Sequence, residues 1–306
     1  KAREAQGDAE ANRGQSWALL LNALAGFQVR DRELIVWATR EIVTEPRSAL
    51  TAHDIANMVH ALDRLDTWPE GLNSWAADVV AGIPVARFSI REITAIWGTA
   101  SSRLEGLQQQ MRAQRDRERR GVGNMSVAVQ DVEGAQRLCT RMAECVMRLP
   151  ASEWTPRGAA LVMNALSRGI VADMPVSAPV LRATMARVSE VMRCESQMLA
   201  LLPHEASLTM NALARASYCD VPLLVRLADA LLRAPRSSWS AQDIVRVTDA
   251  MVRLLTNPKV FPKVVDMLGI NISLYHVQIN TVPPGEEEAT DADVASGGGI
   301  IKSVPR

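Results

Sequence analysis

Apolar residues return every three or four positions through long stretches of this chain, the spacing of one face of an α-helix. Between 51 and 65 they fall at Ile55, Met58, Val59 and Leu62, which predicts an amphipathic helix there. The same pattern predicts helices over 31–43, 70–80, 176–192, 221–232 and 258–268. A looser alternation over 271–282 fits one strand. The expected class is all-α.

The pattern also repeats at a larger scale. Two-residue Ala-Leu marks recur, each after a small or polar residue: Asn22-Ala23-Leu24, His60-Ala61-Leu62, Asn164-Ala165-Leu166, Asn211-Ala212-Leu213 and Asp249-Ala250-Met251, with Gly98-Thr99-Ala100 as a degenerate copy. Successive first residues are 38, 38, 66, 47 and 38 apart. Three of the five agree, and the others are 38 plus an insertion of 28 or 9. Ten residues before each mark after the first stands a large apolar residue: Leu50, Phe88, Trp154, Leu201 or Trp239. Four residues earlier comes Pro46, Pro84, Pro150 or Pro235, while the fifth copy has Gln197 there. Proline cannot continue a helix, so it ends one and sets the approach to the next. Thr51, Ser89, Thr155 and Ser240 then offer N-cap hydroxyls, and Asp54, Glu92 and Asp243 follow three residues on, the spacing of a capping box. Each unit reads as a helical hairpin. One hairpin cannot bury its apolar stripe alone, whereas stacked hairpins can, so the expected architecture is an α-solenoid of about six 38-residue units.

The solenoid is expected over 1–270, with its main insertion at about 105–130, as an extended first helix or a polar loop ending at Gly121-Val122-Gly123. Residues 271–306 form an extended, irregular tail, acidic and then glycine-rich, expected to be ordered by docking on a neighbouring subunit.

Composition narrows the function. The 34 basic and 34 acidic residues cancel, so the chain does not advertise strong autonomous nucleic-acid binding. Its bases are four Lys and thirty Arg. Arg suits phosphate and stacked bases, and a GC-rich genome gives the same bias. No apolar run approaches the roughly 20 residues of a membrane span. Cys139, Cys145, Cys194 and Cys219 form no C-x-x-C pair and read as small buried residues in a reducing compartment. Trp154 and Trp239, at the heads of units, and Trp37, Trp75 and Trp97, on apolar faces, read as core. No G-x-S-x-G, phosphate-binding glycine loop or H-E-x-x-H motif occurs, so neither a catalytic set nor a cofactor or metal is expected.

The best copy, Leu149-Pro150-Ala151-Ser152-Glu153-Trp154 leading to Met163-Asn164-Ala165-Leu166, resembles the octotricopeptide repeat. Phe88–Ile93 and Trp239–Ile244 are similar to the helical units that precede the RAP domain in FAST-kinase-like organellar proteins. The resemblance spans about Asn12 to Leu268. It implies a mitochondrial or plastid location and a non-catalytic role in RNA stability, processing, translation or ribosome architecture. Its partners would be RNA, above all ribosomal RNA, and the protein subunits of a large assembly. About 36 residues follow the last unit, too few for a RAP domain, so nuclease-like activity is not implied.

Counting the large apolar residue as position 1, positions 4, 8, 11 and 15 of each first helix share a stripe. They are His53, Asn57, His60 and Arg64; Arg91, Ala95, Gly98 and Ser102; Arg157, Leu161, Asn164 and Arg168; His204, Leu208, Asn211 and Arg215; and Gln242, Arg246, Asp249 and Arg253. The candidate RNA contacts are Asn57, His60, Arg64, Asn164, Arg168, Asn211, Arg215 and Arg253, joined by Arg112, Arg115, Arg117, Arg119 and Arg120 of the insertion. Such a ladder can meet phosphates and base edges of single-stranded RNA. The same residues have a structural reading: Arg near a helix C-terminus is favoured by the dipole, and a repeated Asn can satisfy backbone groups between stacked helices.

Overall fold

The fold is that of a computed structural model, which describes residues 2–44, 50–119, 129–171, 178–194 and 201–257. These residues form eleven α-helices: α1 (Ala2–Gly26), α2 (Arg32–Thr44), α3 (Ala52–Arg64), α4 (Leu72–Gly82), α5 (Ile90–Arg119), α6 (Val129–Arg148), α7 (Pro156–Val171), α8 (Ala178–Met192), α9 (Pro203–Arg215), α10 (Val221–Arg233) and α11 (Ala241–Thr256). The class is all-α, with no strand among the described residues. The expected helix at 258–268, the strand at 271–282, the tail, Pro46, Arg120 and Gly121-Val122-Gly123 lie outside them.

Local chemistry explains most helix starts. Pro84, Pro150 and Pro235 each open a three-residue 3-10 turn: Val85–Arg87, Ala151–Glu153 and Arg236–Ser238. The turn closes on the large apolar residue, as Phe88, Trp154 and Trp239 donate their N–H to the carbonyls of Val85, Ala151 and Arg236. Phe88 and Trp154 are thereby pinned in the core, and Trp239 packs against it half-buried. Next comes the cap. Thr51 Oγ1 accepts the Asp54 N–H, and Asp54 Oδ2 accepts the Thr51 N–H at 3.0 Å. Ser240 and Asp243 repeat the reciprocal pair, and Glu92 accepts from the N–H and hydroxyl of Ser89. Each cap is worth ~1 kcal/mol. The fifth copy keeps half the device: Leu202 has no side-chain oxygen, but its N–H still donates to Glu205 Oε2 at 2.7 Å. Helix α4 starts at Leu72, two residues later than its apolar pattern, because Gly71 takes a left-handed φ of 80° that interrupts the helix ahead of it.

The six first helices expected from the sequence, α1, α3, α5, α7, α9 and α11, are neighbours in that order. Helix α3 packs on α1 and α5, α7 on α5 and α9, and α9 on α11. They run parallel, since contacts join start to start and end to end. Ser207 donates to Asp243 at 2.9 Å across the beginnings of α9 and α11, and Arg215 reaches Ser167 Oγ across the ends of α9 and α7. A second set lies behind: α4 packs on α6, and α6 on α5 and α8. Between α4 and α6 the approach is tight. Gly134 faces the backbone of Asn73 and Ser74, Asp131 accepts the Gly71 N–H at 3.0 Å, and Arg137 Nη1 meets Asp78 Oδ1 at 2.6 Å. Aliphatic residues, Met and Trp97 fill the core between the two sets.

Two expectations need correction. Trp37 is not core: it is 50% exposed, edge-on to Trp17 with ring centroids 5.6 Å apart. Helix α2 buries Ile35, Ala38, Thr39 and Ile42, and residue 37 lies on the opposite side of that helix. Nor are all four cysteines buried. Cys139 and Cys145 are, Cys219 is half-buried, and Cys194 is exposed just past α8.

Candidate nucleic-acid interface

The stripe of positions 4, 8, 11 and 15 gives a lane of mostly half-buried or exposed side chains on α3, α5, α7, α9 and α11. Every residue of the stripe is half-buried or exposed except Leu208. His60, Arg64 and Arg253 are exposed, while Asn57, Asn164, Asn211, Arg168 and Arg215 are half-buried. Asn57 Nδ2 lies 2.9 Å from His53 Nε2, whose ring is 3.6 Å from Glu92 of the next unit. Asn211 Oδ1 is buried with no hydrogen-bond partner among the described residues.

At position 15, Arg64, Arg168 and Arg215 reach back to the preceding first helix. Arg64 Nη2 donates to Ala25 O at 3.2 Å, and Arg215 Nη2 to Ser167 Oγ at 2.8 Å and Asn164 O at 3.5 Å. Arg168 Nε stands 4.0 Å from Glu105 of α5. Ala25 lies in the last turn of α1, where carbonyls lack intrahelical partners and carry negative partial charge, so the Arg64 guanidinium complements both. In the third copy sequence register points to Ser102, but its neighbour Arg103 does this work. It bridges to Asp63 at 3.2 Å and lies over the Trp68 ring at 5.0 Å. The signal was an arginine one residue out of register, on a side chain long enough to cover the difference. Arg253 pairs within its own helix, with Asp249 at 2.9 Å. Burial, followed by the like charges of Arg168 and Arg253, lowers the pKa of Arg215. A guanidinium has five N–H donors. Arg64 and Arg215 each engage through a single guanidinium nitrogen, Nη2.

The insertion extends α5 to 30 residues against 16 for α7, roughly 20 Å of extra helix. Of the two alternatives at 105–130, the extended first helix is the one realised up to Arg119. No family model, no curated protein and no solved structure matches this chain. Arg112, Arg115 and Arg117 are exposed on the last turns of α5 and join no ion pair among the described residues. Arg119 ends the helix.

Position 4 also links units. His204 Nδ1 is 3.3 Å from Asp243 Oδ1, and Arg246 is 3.5 Å from the same oxygen. Burial alone would raise the pKa of Asp243. The hydrogen bonds from the Ser240 side chain and backbone and from Ser207, with His204 alongside, hold it down at about 2. For Cys139 and Cys145, burial pushes the thiols up to about 12 and about 11, which disfavours thiolate chemistry. No group of three or more metal-ligating side chains occurs among the described residues, and none of their helices is long and apolar enough to cross a membrane.

Proposed function

We propose that this chain is a non-catalytic α-solenoid of about six helical hairpins, a structural subunit of a mitochondrial ribonucleoprotein such as the ribosome, held to ribosomal RNA and to neighbouring proteins. The 38-residue recurrence, the parallel stacking of successive first helices and the likeness to octotricopeptide and RAP-associated repeats support the architecture and the location. The observation that carries the RNA reading is the arm of α5, which presents Arg112, Arg115 and Arg117 to solvent with no ion-pair partner among the described residues. Cations with no ion-pair partner among the described residues can meet phosphates, whereas Arg64, Arg168 and Arg215 are already committed to packing.

The experiment is a triple charge reversal, Arg112→Glu, Arg115→Glu and Arg117→Glu, read by filter binding to single-stranded RNA across a salt series. Loss of three phosphate contacts should lower the slope of log affinity against log salt by about two. RNA crosslinks in the native assembly should map to the arm. Unchanged affinity and slope, together with no crosslinks to the arm or the lane, would leave a protein-only scaffold as the better account. That second reading already has one observation in its favour, the use of the lane arginines as clamps between helices.

A further inference from the structure

Two contacts fix how α5 sits between its neighbours, and so which way each side of its arm looks. Arg103 bridges to Asp63 of α3 at 3.2 Å, and Glu105 meets Arg168 of α7 at 4.0 Å. Seven residues make almost two whole turns, so a residue and the one seven positions on share a side of the helix. Gln110 and Arg117 therefore continue the side of Arg103, toward α3. Arg112 continues the side of Glu105, toward α7, with Arg115 one turn further along. All four are exposed. Arg112 and Arg117 stand about 140° apart round the helix. The outer face between them carries exposed Gln109, Ala113 and Asp116, and no cation among the described residues. Half-buried Leu107, Met111 and Gln114 lie opposite that face.

This split of the arginines bears on the kind of RNA the arm suits. The phosphates of a single strand follow one line. A strand laid along the outer face meets the Asp116 carboxylate there, and it reaches both arginine flanks only by bending around the arm, which costs conformational freedom. A base-paired RNA brings two backbones already held apart by a groove. In the A-form helix the minor groove is wide and shallow and displays 2′-hydroxyls, and duplex RNA is recognised by phosphate and 2′-hydroxyl contacts across it. A helix about 10–12 Å across lies along such a groove with one flank toward each backbone. Arg112 and Arg115 then face one strand and Arg117 the other. The outer face lies over the 2′-hydroxyls, where Asp116 accepts hydrogen bonds and Gln109 both donates and accepts. Asp116 is thereby kept off the phosphates.

We infer that the α5 arm takes base-paired RNA, lying in the minor groove of a stem with its two arginine flanks on opposite strands. The inference rests on the arm being the RNA contact and adds the class of RNA that it holds. It assigns no phosphate to Arg168 or Arg215, which remain on Glu105 and Ser167. Complementarity of charge carries it: cations on both flanks, where a stem has its phosphates, and the one acid of the outer face where a stem has none.

The test uses the full chain, freed of copurifying RNA, in filter binding to two probes at equal salt. One is a stem-loop with a stem of roughly 16 base pairs, the span of a known duplex-RNA module. The other is a single strand of the same length and composition that cannot pair. Wild type should hold the stem-loop on the order of tenfold more tightly. On the stem-loop, Arg117→Glu should lose affinity, and so should Arg112→Glu with Arg115→Glu, since each disarms one flank. These side chains are solvent-facing, so far-UV circular dichroism should not change; Arg117→Gln and Arg112→Gln with Arg115→Gln are the milder pair should a reversal fail to fold. Equal affinity for the two probes, or a preference for the single strand, would overturn the inference. So would loss confined to one flank, which means a single backbone is held. In either case a triple reversal that still weakens binding leaves the arm as the RNA contact. Binding of neither probe would overturn both readings together and favour the protein-only scaffold.

Discussion

Replacing Gly134 by alanine tests the backbone approach of α6 on α4. A Cβ on Gly134 would lie 2.4 Å from Ser74 N, 2.6 Å from Asn73 C and 2.7 Å from Ser74 Cα. These are backbone atoms of α4, so no side-chain rotation relieves the clash. Ordinary contact requires about 3.5–4.0 Å, and α6 must retreat by roughly 1 Å. That movement strains the bonds joining the two helices: Gly71 N–H to Asp131 at 3.0 and 3.1 Å, Ser74 Oγ to Gln130 O at 2.7 Å, and Arg137 to Asp78 at 2.6 Å. Overpacking costs ~1–3 kcal/mol. One lost hydrogen bond adds ~1 kcal/mol. The helix propensity of Ala over Gly returns ~1 kcal/mol. The net expectation is a loss of ~1–3 kcal/mol. Gly98, in α5, supplies the control, since a Cβ there meets nothing within 4 Å. Gly98→Ala should gain ~0.5–1 kcal/mol from propensity alone. Urea unfolding followed by circular dichroism at 222 nm reads both variants, and amide exchange locates the loss on α4 and α6. If Gly134→Ala unfolds at the same urea concentration as Gly98→Ala, or later, the packing argument fails.

Asp243 sets a pH dependence: its folded-state pKa lies below the ordinary 3.8, so its contribution is complete above about pH 5 and disappears as pH falls through about 2. The difference is worth ~2 kcal/mol, and the gap in urea midpoint between wild type and Asp243→Asn should close over that window; a constant gap refutes it. Native-state alkylation read by peptide mass spectrometry should label exposed Cys194 first and leave Cys139 and Cys145 unmodified, because burial raises both thiols; equal labelling counts against the buried placement. Arg215→Met should cost ~1 kcal/mol by loosening the grip of α9 on Ser167, visible as faster amide exchange at the end of α7. Unaltered exchange there would mean the clamp is idle. For the same reason Arg168→Glu with Arg215→Glu perturbs packing as well as charge, which makes the α5 arm the cleaner place to test RNA contact.

The amino-acid sequence by itself determined the helices and their starts. Thr51 with Asp54, Ser240 with Asp243, and Pro84, Pro150 and Pro235 ahead of their large apolar residues act over three or four positions, within reach of local hydrogen bonds and a fixed φ. The spacing of apolar residues likewise picked out the buried face of α3, because helical period and burial are tied. Helix α6 went unread, since the insertion broke the register that marked its siblings. Tertiary structure alone decided which neighbour each side chain meets. Trp37 faces solvent, Arg103 takes the place register gave to Ser102, Gly134 admits the backbone of α4, and Arg64, Arg168 and Arg215 close on polar groups of the preceding first helix. The partner of each cannot be read from local sequence, because contacts between helices depend on the distance and angle at which they cross, and residues far apart in the chain set both.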